Sequence, residues 1–508
     1  MIPGTIREAA RRFSDGVAYV TPRGWPLTFT DLDRLSDAVA AGLTARGVGP
    51  GDVVSLVLPP GVEYLLCYVA IAKVGAVTAG VNEKLAGPER DRVLELAGPR
   101  LVVAAPGRGG TAAPVVEVAT ADTPDDCLRD LRGDPDAAPG PLPPDPDRPI
   151  AVIFTSGTTG APRGAVYGER QLQFIADTDV PVWGVGGRTF NGTSCATLGF
   201  MTKMAGNVRR GGTQFMMERW SPRATLELVE RERMSSVGGV PTQIALMLRD
   251  PDFDAFDLTS VRSIVVGGAP VTPGLADEAR ARFGAPLITR YSCTEAGIGL
   301  GTAIDDPPAD AVESVGRPLP GVDLAVLDDH DRPVPTGEVG AVCLRSPAQM
   351  SGYWRDPEAT KAAFTPDGHV RTGDLGWVDD RGRLHLVGRS KEMYVRGGYN
   401  VYPVEVEAAL SDAPGVAAVA VATRPDPLMG EIGVACVVAR DPGAPPTLDD
   451  LRTFGADRLA THKLPEALVL VDALPLTTAE KIDRRALARL VDPARPDDHL
   501  DHRPDGSR

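Results

Sequence analysis

The chain has 508 residues and a formal net charge of −15, and 43% of its residues are hydrophobic. This length predicts more than one folding unit, and the acidic balance argues against nucleic acid as the main partner, because phosphate backbones attract basic surfaces. The most apolar region, residues 53–81, is interrupted by Pro59, Pro60, Glu63 and Lys73, which favours a strand followed by a buried helix over a membrane span.

Six cysteines are scattered along the chain without Cys-x-x-Cys spacing. This pattern indicates reduced thiols and argues against a disulfide framework or a zinc site. The start of the chain carries charges where a signal peptide needs an apolar run, so we expect a cytoplasmic protein. The cysteines are Cys67, Cys127, Cys195, Cys293, Cys343 and Cys436.

The first third of the chain alternates apolar strand-like runs with helical patterns. This β-α-β-α order predicts a largely parallel sheet covered on both faces. Thr30, before Asp31, is a candidate helix N-cap. The predicted strands are residues 53–58, 76–81 and 101–105, and the predicted helices between them are residues 62–74 and 87–97.

Further helices and strands follow to about residue 291, and short β segments then dominate from residue 316 to 387. The expected fold is α/β. Its large multi-subdomain N-terminal domain, residues 1–388, contains parallel-rich sheets and a β-rich subdomain. A small mobile α+β C-terminal domain, residues 389–490, follows. The charged, Pro-rich tail, residues 491–508, is expected to be disordered.

A strand-type run, Ala151-Val152-Ile153-Phe154, breaks into the small residues Thr155-Ser156-Gly157-Thr158-Thr159-Gly160, and the cation Arg163 follows. Glycines let the backbone turn sharply and expose its N–H groups, and the hydroxyls add further donors. Such a loop suits a phosphate group. It is not a Walker A loop, because no Gly-Lys-Ser/Thr follows. A plain surface turn is the competing interpretation.

Other stretches, distant in sequence, also carry candidate chemistry. Taken singly, each has a plainer interpretation as a glycine turn, a strand end or a solvated Lys–Glu pair. They are Gly267-Gly268-Ala269-Pro270, Arg290-Tyr291-Ser292-Cys293-Thr294-Glu295, Arg371-Thr372-Gly373-Asp374, Gly388-Arg389-Ser390-Lys391, the pair Gly397-Gly398 before Tyr399, and Glu480-Lys481.

The order of these stretches along the chain resembles the adenylate-forming superfamily, which includes acyl-CoA synthetases, aryl-CoA ligases, luciferases and the adenylation domains of peptide synthetases. The chain is most similar to bacterial fatty-acid or aryl CoA ligases, because it has a Gly-rich hairpin and no carrier-protein domain. The resemblance covers nearly the whole chain and implies use of ATP, Mg²⁺ and CoA with a small-molecule carboxylic acid.

The resemblance also implies roles for single residues in nucleotide binding. Tyr291 would stack on adenine, Thr294 would contact the α-phosphate, and Glu295 would hold Mg²⁺, a hard cation that favours carboxylate oxygens. The remaining nucleotide-binding positions would be Thr155, Ser156, Gly157, Thr158, Thr159, Gly160, Arg163, Gly268, Ala269, Pro270, Arg290, Ser292 and Cys293.

By the same resemblance, the C-terminal motifs would serve catalysis and domain motion. Asp374 would accept hydrogen bonds from both ribose hydroxyls, and Arg389 would contact ribose or phosphate. Lys391 falls at the hinge position, and Gly397 and Gly398 belong to the hairpin that lines the pantetheine tunnel in relatives. Lys481 would stabilise the transition state at the α-phosphate.

The chain departs from the family pattern in the phosphate loop, in the Tyr291 motif and at the gate of the tunnel that leads to the acceptor. Arg163 replaces the usual Lys, and Ser292 replaces the usual Gly. The segment 194–200 contains no His at the tunnel gate, where Ala196 or Thr197 stands instead.

We therefore expect an acid–CoA ligase that forms an acyl-AMP intermediate. Two alternatives stay open: transfer to an amine, a carrier protein or another small nucleophile, including nitrite-dependent diazotisation, or a non-catalytic nucleotide-binding regulator. A homodimer is also open, since dimers are common among relatives.

Overall fold

The computed structural model describes residues 2–155, 162–183, 185–390, 392–477 and 481–492, together with all their side chains except those of residues 179–183 and 400. The loop residues 156–161, the hinge candidate Lys391 and the tail 493–508 lie outside the described residues. Among the helices described, none is both long enough and apolar enough to cross a bilayer.

The predicted parallel sheet forms in the first part of the chain. Its strands run in the order β6-β5-β3-β4-β7-β8, parallel throughout except for the antiparallel pair β7–β8. The elements of this part are α1 Ile2–Phe13, β1 Val17–Val20, β2 Pro26–Thr28, α2 Phe29–Ala45, β3 Val53–Val57, α3 Val62–Val74, β4 Val77–Gly80, α4 Gly87–Ala97, β5 Leu101–Ala104, β6 Val115–Glu117, β7 Pro149–Thr155 and β8 Arg163–Gly168.

One detail of the prediction was wrong. Helix α2 begins at Phe29, and its N-cap is Thr28, whose hydroxyl oxygen accepts a hydrogen bond from the Asp31 amide at 3.0 Å. Thr30 is instead the second residue of the helix. Both threonines precede Asp31, and only the path of the backbone decides which hydroxyl meets an unpaired amide.

A second parallel sheet follows in the order β11-β12-β13-β14-β15, with the last two strands antiparallel, and β9 and β10 join β1 and β2 in a separate sheet. The elements are α5 Glu169–Trp183, β9 Arg188–Asn191, α6 Leu198–Met201, α7 Met204–Arg209, β10 Thr213–Met216, α8 Pro222–Glu232, β11 Ser236–Gly239, α9 Pro241–Leu248, β12 Ser263–Gly267, α10 Pro273–Phe283, β13 Leu287–Tyr291, β14 Leu300–Gly301, α11 Asp310–Glu313 and β15 Arg317–Pro318.

The predicted β-rich subdomain is an antiparallel sheet in chain order. It consists of β16 Asp323–Leu327, β17 Gly340–Arg345, β18 Val370–Val378 and β19 Leu384–Arg389, with α12 Pro357–Ala363 between β17 and β18. Strand β19 ends at Arg389, and the next strand belongs to another sheet.

The small C-terminal domain has its own sheet and its own core around Val406, Leu410, Val421 and Val437. Its contacts with the large domain include the hydrogen bond from Arg249 to the Ala417 carbonyl at 3.3 Å and the approach of Asp412 to Gly274. The elements are β20 Tyr394–Arg396, β21 Tyr399–Val401, α13 Pro403–Leu410, β22 Val416–Asp426, β23 Gly430–Ala439, α14 Leu448–Ala456, β24 Ala467–Leu470 and α15 Arg484–Val491.

Two helical glycines give a matched test of packing against helix propensity. A Cβ on Gly42 of α2 would lie 1.8 Å from the Leu131 carbonyl oxygen, whereas a Cβ on Gly4 of α1 would meet nothing within 4 Å. We expect Gly42→Ala to lower stability by about 1–3 kcal/mol through overpacking, and Gly4→Ala to raise it by about 0.5–1 kcal/mol. Thermal unfolding midpoints check both; equal shifts for the two variants would contradict the close approach at Gly42.

Candidate active site

Two of the sequence motifs meet at the carboxyl edge of the second parallel sheet. Strand β12 ends at Gly267 and pairs with β13, so that Gly267 lies opposite Arg290. Gly268 follows the end of β12, and Tyr291 ends the neighbouring strand β13. The two residues therefore lie at the same edge of the sheet. Crevices at the carboxyl ends of parallel strands are common ligand sites in open α/β sheets.

Gly268 has a φ of +82°, a left-handed conformation that favours glycine. A Cβ at this position would lie 3.3 Å from Cε and 3.6 Å from Nζ of Lys481. The lysine of the small domain thus reaches the end of β12, at the turn that continues into Ala269 and Pro270. Lys481 directly precedes Ile482, which packs in the small domain's core, and Asp483 caps α15.

Asp374 joins two strands of the β-rich sheet to Tyr291. The Tyr291 hydroxyl donates to Asp374 Oδ2 at 2.5 Å, and Arg389 Nε lies 3.0 Å from Oδ1. Asp374 and Arg389 are direct cross-strand partners on β18 and β19, and Asp374 is buried. We call Tyr291, Asp374 and Arg389 the Asp374 cluster. A carboxylate has about four acceptor positions, so each oxygen can accept a further hydrogen bond.

The charges around the Asp374 cluster shift the pKa values of its neighbours. Burial raises the pKa of Tyr291 well above its usual range, and the Asp374 carboxylate raises it further, so the phenol remains a donor. Burial lowers the pKa of Arg389, but the carboxylates of Asp374 and Glu392 outweigh it and the net shift is upward.

Much of the Lys481 side chain is accessible to solvent. Partial desolvation in the cleft nevertheless lowers the pKa of its ammonium group, and the charge of Arg389 lowers it further. Two cations therefore lie near one another, with the Asp374 carboxylate beside both. Such a cleft attracts an anionic group, which would relieve the repulsion between Lys481 and Arg389.

The ends of the predicted phosphate loop are held by the first sheet. Thr155 on β7 and Arg163 on β8 are direct antiparallel partners. The predicted loop residues Ser156, Gly157, Thr158, Thr159 and Gly160 lie outside the described residues. The Arg163 guanidinium carbon lies 5.5 Å from the ring centroid of Tyr353.

The proposed metal-holding residue, Glu295, is positioned by Tyr353. The Tyr353 hydroxyl donates to Glu295 Oε1 at 2.8 Å, and the Met350 amide donates to the Glu295 carbonyl at 2.9 Å. The carbonyl of the adjacent Thr294 accepts from the buried Tyr167 hydroxyl at 2.5 Å. Neither tyrosine was expected from the sequence, since each stands outside the recognised motifs and only the fold brings it to Thr294 and Glu295.

The other residues of the Tyr291 motif make local contacts. Arg290 Nη1 donates to the carbonyls of Thr289 and Thr302, at 3.0 and 2.7 Å. The Ser292 hydroxyl donates to the Gly297 carbonyl at 2.9 Å, and burial raises the pKa of the Cys293 thiol. These contacts stabilise the loop itself, and a direct role of the three residues toward a nucleotide stays a prediction.

The predicted hairpin glycines form the turn between β20 and β21. Gly397 and Gly398 have φ values of +55° and +86°, and the Gly397 amide donates to the Met429 carbonyl at 2.8 Å. A Cβ on Gly398 would meet nothing within 4 Å. Its backbone is therefore open to an approaching thin chain such as pantetheine.

Ala196 and Thr197 are the two positions at which the family resemblance implies a gate histidine, and both side chains are small. Ala196 is buried, and the Thr197 hydroxyl donates to the Ser194 carbonyl at 2.9 Å. The Ser194 hydroxyl lies 3.2 Å from Glu83 Oε2, and burial raises the pKa of that carboxyl group. Nearby, Phe200, Met201 and Met204 are buried in the main core.

The residues present fit a nucleotide and a divalent cation. The Asp374 cluster offers carboxylate acceptors for a ribose, and Lys481 and Arg389 offer positive charge for phosphate groups. In the part of the chain described, no three His, Cys, Asp or Glu side chains form a metal site. Mg²⁺ at Glu295 would therefore share its coordination with phosphate oxygens, the arrangement this ion favours.

Comparison with known proteins agrees with this geometry. Residues 6–354 match the family model described as AMP-binding enzyme, and residues 405–481 match that of the AMP-binding enzyme C-terminal domain. The chain is 34% identical over 485 residues to the fatty acid–[acyl-carrier-protein] ligase ScoC of Streptomyces coeruleorubidus, covering 91% of each chain.

A feruloyl-CoA synthase of Amycolatopsis sp is also 34% identical, over 93% of this chain and 95% of its own. Among solved structures, ATP-bound MatB from Rhodopseudomonas palustris superposes with a TM-score of 0.86 at 28% identity, covering 96% of this chain and 99% of its own. The chain belongs to the AMP-binding enzyme family and thus to the adenylate-forming superfamily that the order of its motifs resembles.

Proposed function

We propose that the protein is an AMP-forming acid–CoA ligase. A substrate carboxylate oxygen attacks the α-phosphorus of ATP, a P–O bond forms, and pyrophosphate leaves with the electron pair of the broken bond. The thiol of CoA then attacks the carbonyl carbon of the acyl-AMP, and AMP leaves. The thiol proton passes to solvent or a base, and a thioester remains.

The observation that carries this proposal is the position of Lys481 against Gly268. The lysine comes from the small domain, yet its ammonium group lies beside the strand end that borders the Asp374 cluster. A compact positive charge at this point would stabilise the charge that builds up on the α-phosphate as pyrophosphate leaves. Mg²⁺ held at Glu295 would neutralise further phosphate charge.

The two half-reactions ask for different parts of the small domain. Lys481 suits the first, and the open turn at Gly397 and Gly398 suits the second. We therefore propose that the small domain, predicted as residues 389–490, rotates as a lid about Lys391 between the steps, a hinge motion in which Arg389 stays with β19 of the large domain. The change of sheet between Arg389 and Tyr394 supports a boundary in this segment.

One observation favours an acceptor other than CoA. Ala196 is buried and Thr197 is bonded within its own turn, so neither offers a substitute for the gate histidine of relatives. ScoC, by its name, serves an acyl-carrier protein, whereas the feruloyl enzyme serves CoA. An amine, a carrier protein or another small nucleophile as acceptor is therefore the alternative for this chain.

A panel of carboxylic acids, assayed for ATP–pyrophosphate exchange and for thioester formation with and without CoA, tests the proposal. We expect exchange with one class of acid and a CoA thioester as product. Exchange without any thioester would favour the alternative acceptors, which can then be supplied directly. Nucleotide binding without exchange for any acid would indicate a non-catalytic regulator.

A cytoplasmic location and a homodimer also remain proposals. The six free cysteines, five of them buried, suit a reducing compartment. Cell fractionation and light scattering of the purified protein check the two points.

The Lys481→Ala variant separates the half-reactions. We expect acyl-AMP formation to fall by about 10²–10³-fold, because a preorganised charge at the reacting phosphate is lost. Thioester formation from supplied acyl-AMP should change little, since the lysine has no part in that step. Single-turnover assays of each half-reaction give the comparison; an equal loss in both would reject the role of Lys481.

The pH dependence of the first half-reaction should report the lowered pKa of Lys481. The charged ammonium is the active form, so kcat/KM should fall as pH rises through a pKa below the ordinary lysine value of 10.5. In Lys481→Arg the guanidinium stays charged, and this basic limb should disappear even if the rate itself is lower. An unchanged basic limb in Lys481→Arg would assign it to another group.

A further inference from the structure

Tyr353 lies between two parts of the site that the sequence motifs treat separately. Its hydroxyl donates to Glu295 Oε1 at 2.8 Å, and its ring faces the guanidinium group of Arg163 at 5.5 Å. Arg163 closes the phosphate loop, and Glu295 is the proposed metal-holding carboxylate. One side chain therefore touches both the loop cation and the carboxylate.

The backbone around Tyr353 is hydrogen-bonded to β8, the strand that begins with Arg163, and to Glu295. The Ser351 amide donates to the Val166 carbonyl at 2.9 Å, and the Trp354 amide donates to the Gly164 carbonyl at 2.7 Å, so the segment pairs with β8. On its other side, the Met350 amide donates to the Glu295 carbonyl at 2.9 Å. A shift of β8 would thus be transmitted to the carboxylate through a hydrogen-bonded segment.

Neighbouring contacts fix the start of the Tyr353 side chain. The Tyr353 amide donates to Thr360 Oγ1 at 2.8 Å. Gly352 has a φ of +151°, and a Cβ there would lie 2.8 Å from the Thr360 side chain. The chain therefore turns tightly before Tyr353 and directs it to a single place, as a residue that orients another group requires.

The hydrogen bond has a direct consequence for Glu295. Among the described residues, Tyr353 is the hydrogen-bond donor to the Glu295 carboxylate, and it donates to Oε1, so that Oε2 can serve as a ligand for a cation. A carboxylate fixed by a donor loses less freedom when it binds a metal ion, and outer partners of metal ligands commonly change affinity about tenfold or more.

The aromatic ring of Tyr353 suits an arginine at position 163. A planar guanidinium group stacks on an aromatic face and is more weakly hydrated than an ammonium group, so it keeps its charge close to the ring at low cost. A lysine would keep the charge but would place a compact, more strongly hydrated ammonium group near the ring. Arg163 and Tyr353 thus form a matched pair at the base of the phosphate loop.

We propose that Tyr353 is a positioning residue that couples Arg163 of the phosphate loop to Glu295, so that phosphate and metal ion are bound as one unit. The proposal rests on the proposed function for the identity of the ligands. It assigns no bond-making step to Tyr353, which acts through Glu295 and Arg163.

The test compares two tyrosine-to-phenylalanine variants. Tyr353→Phe removes the hydroxyl but keeps the ring, and Tyr394→Phe removes a buried hydroxyl that has no hydrogen-bond partner among the described residues. Mn²⁺ binding is measured by electron paramagnetic resonance in the presence of α,β-methylene-ATP. We expect the Mn²⁺ dissociation constant to rise about tenfold in Tyr353→Phe and to stay within about twofold in Tyr394→Phe.

Two double-variant cycles exclude a merely structural effect. In a Glu295→Gln background, Tyr353→Phe should cause no further loss of Mn²⁺ affinity, because the group that it orients is already changed. Arg163→Lys should weaken binding of the nucleotide analogue in the wild type and should add nothing in Tyr353→Leu, where the ring is absent.

Unchanged Mn²⁺ affinity in Tyr353→Phe would overturn the proposal, and so would additive effects in both cycles. A lowered unfolding midpoint with wild-type Mn²⁺ affinity would overturn it as well, since the residue would then only support the fold. If the wild type binds Mn²⁺ and nucleotide but exchanges no pyrophosphate, the proposed function fails, and the binding comparison still decides the role of Tyr353.

Discussion

The hydrogen-bonded carboxylate of Asp374 is the interaction on which the arrangement of the cleft depends. It ties the end of a parallel sheet, through Tyr291, to two strands of an antiparallel sheet, through its own strand and that of Arg389. A buried carboxylate needs such donors, because an unpaired charge away from water is costly. Its partners therefore fix how the two sheets of the large domain meet, and Gly268 and Lys481 lie beside that junction.

The phosphate side of the cleft follows the same pattern with a different carboxylate. Tyr353 donates a hydrogen bond to Glu295 and contacts Arg163 of the first sheet through its ring. The backbone of Glu295 follows Tyr291 closely along the chain. The short connection from Tyr291 to Glu295 thus joins the two hydrogen-bonded groups. Contacts to the base, the ribose, the phosphates and the metal ion would then come from separate sheets. The hydrogen bonds of Asp374 and Glu295 fix the positions of these sheets relative to one another.

Much of the fold could be predicted from the sequence, because the core helices and strands carry strong local patterns. The helices Val62–Val74 and Gly87–Ala97 begin and end where the pattern predicts. The N-cap of α2 was assigned wrongly, since Thr28 and Thr30 are equivalent until the backbone path is known. The motif residues were found by their order along the chain. Tyr353 and Tyr167 were not, because their partners lie 58 and 127 residues away and only the fold brings them together.

The approach of Asp412 to Gly274 marks a place where the small domain can be linked to the large domain. A Cβ on Gly274 would lie 2.8 Å from Asp412 Oδ1 and 3.7 Å from its Cγ, so side chains at the two positions would meet at the boundary between the domains. Cysteines introduced at both positions would form a covalent latch across the two domains, closed by oxidation and opened by a reductant. Five native thiols are buried and the sixth, Cys293, is only partly exposed, so the latch would compete with few side reactions.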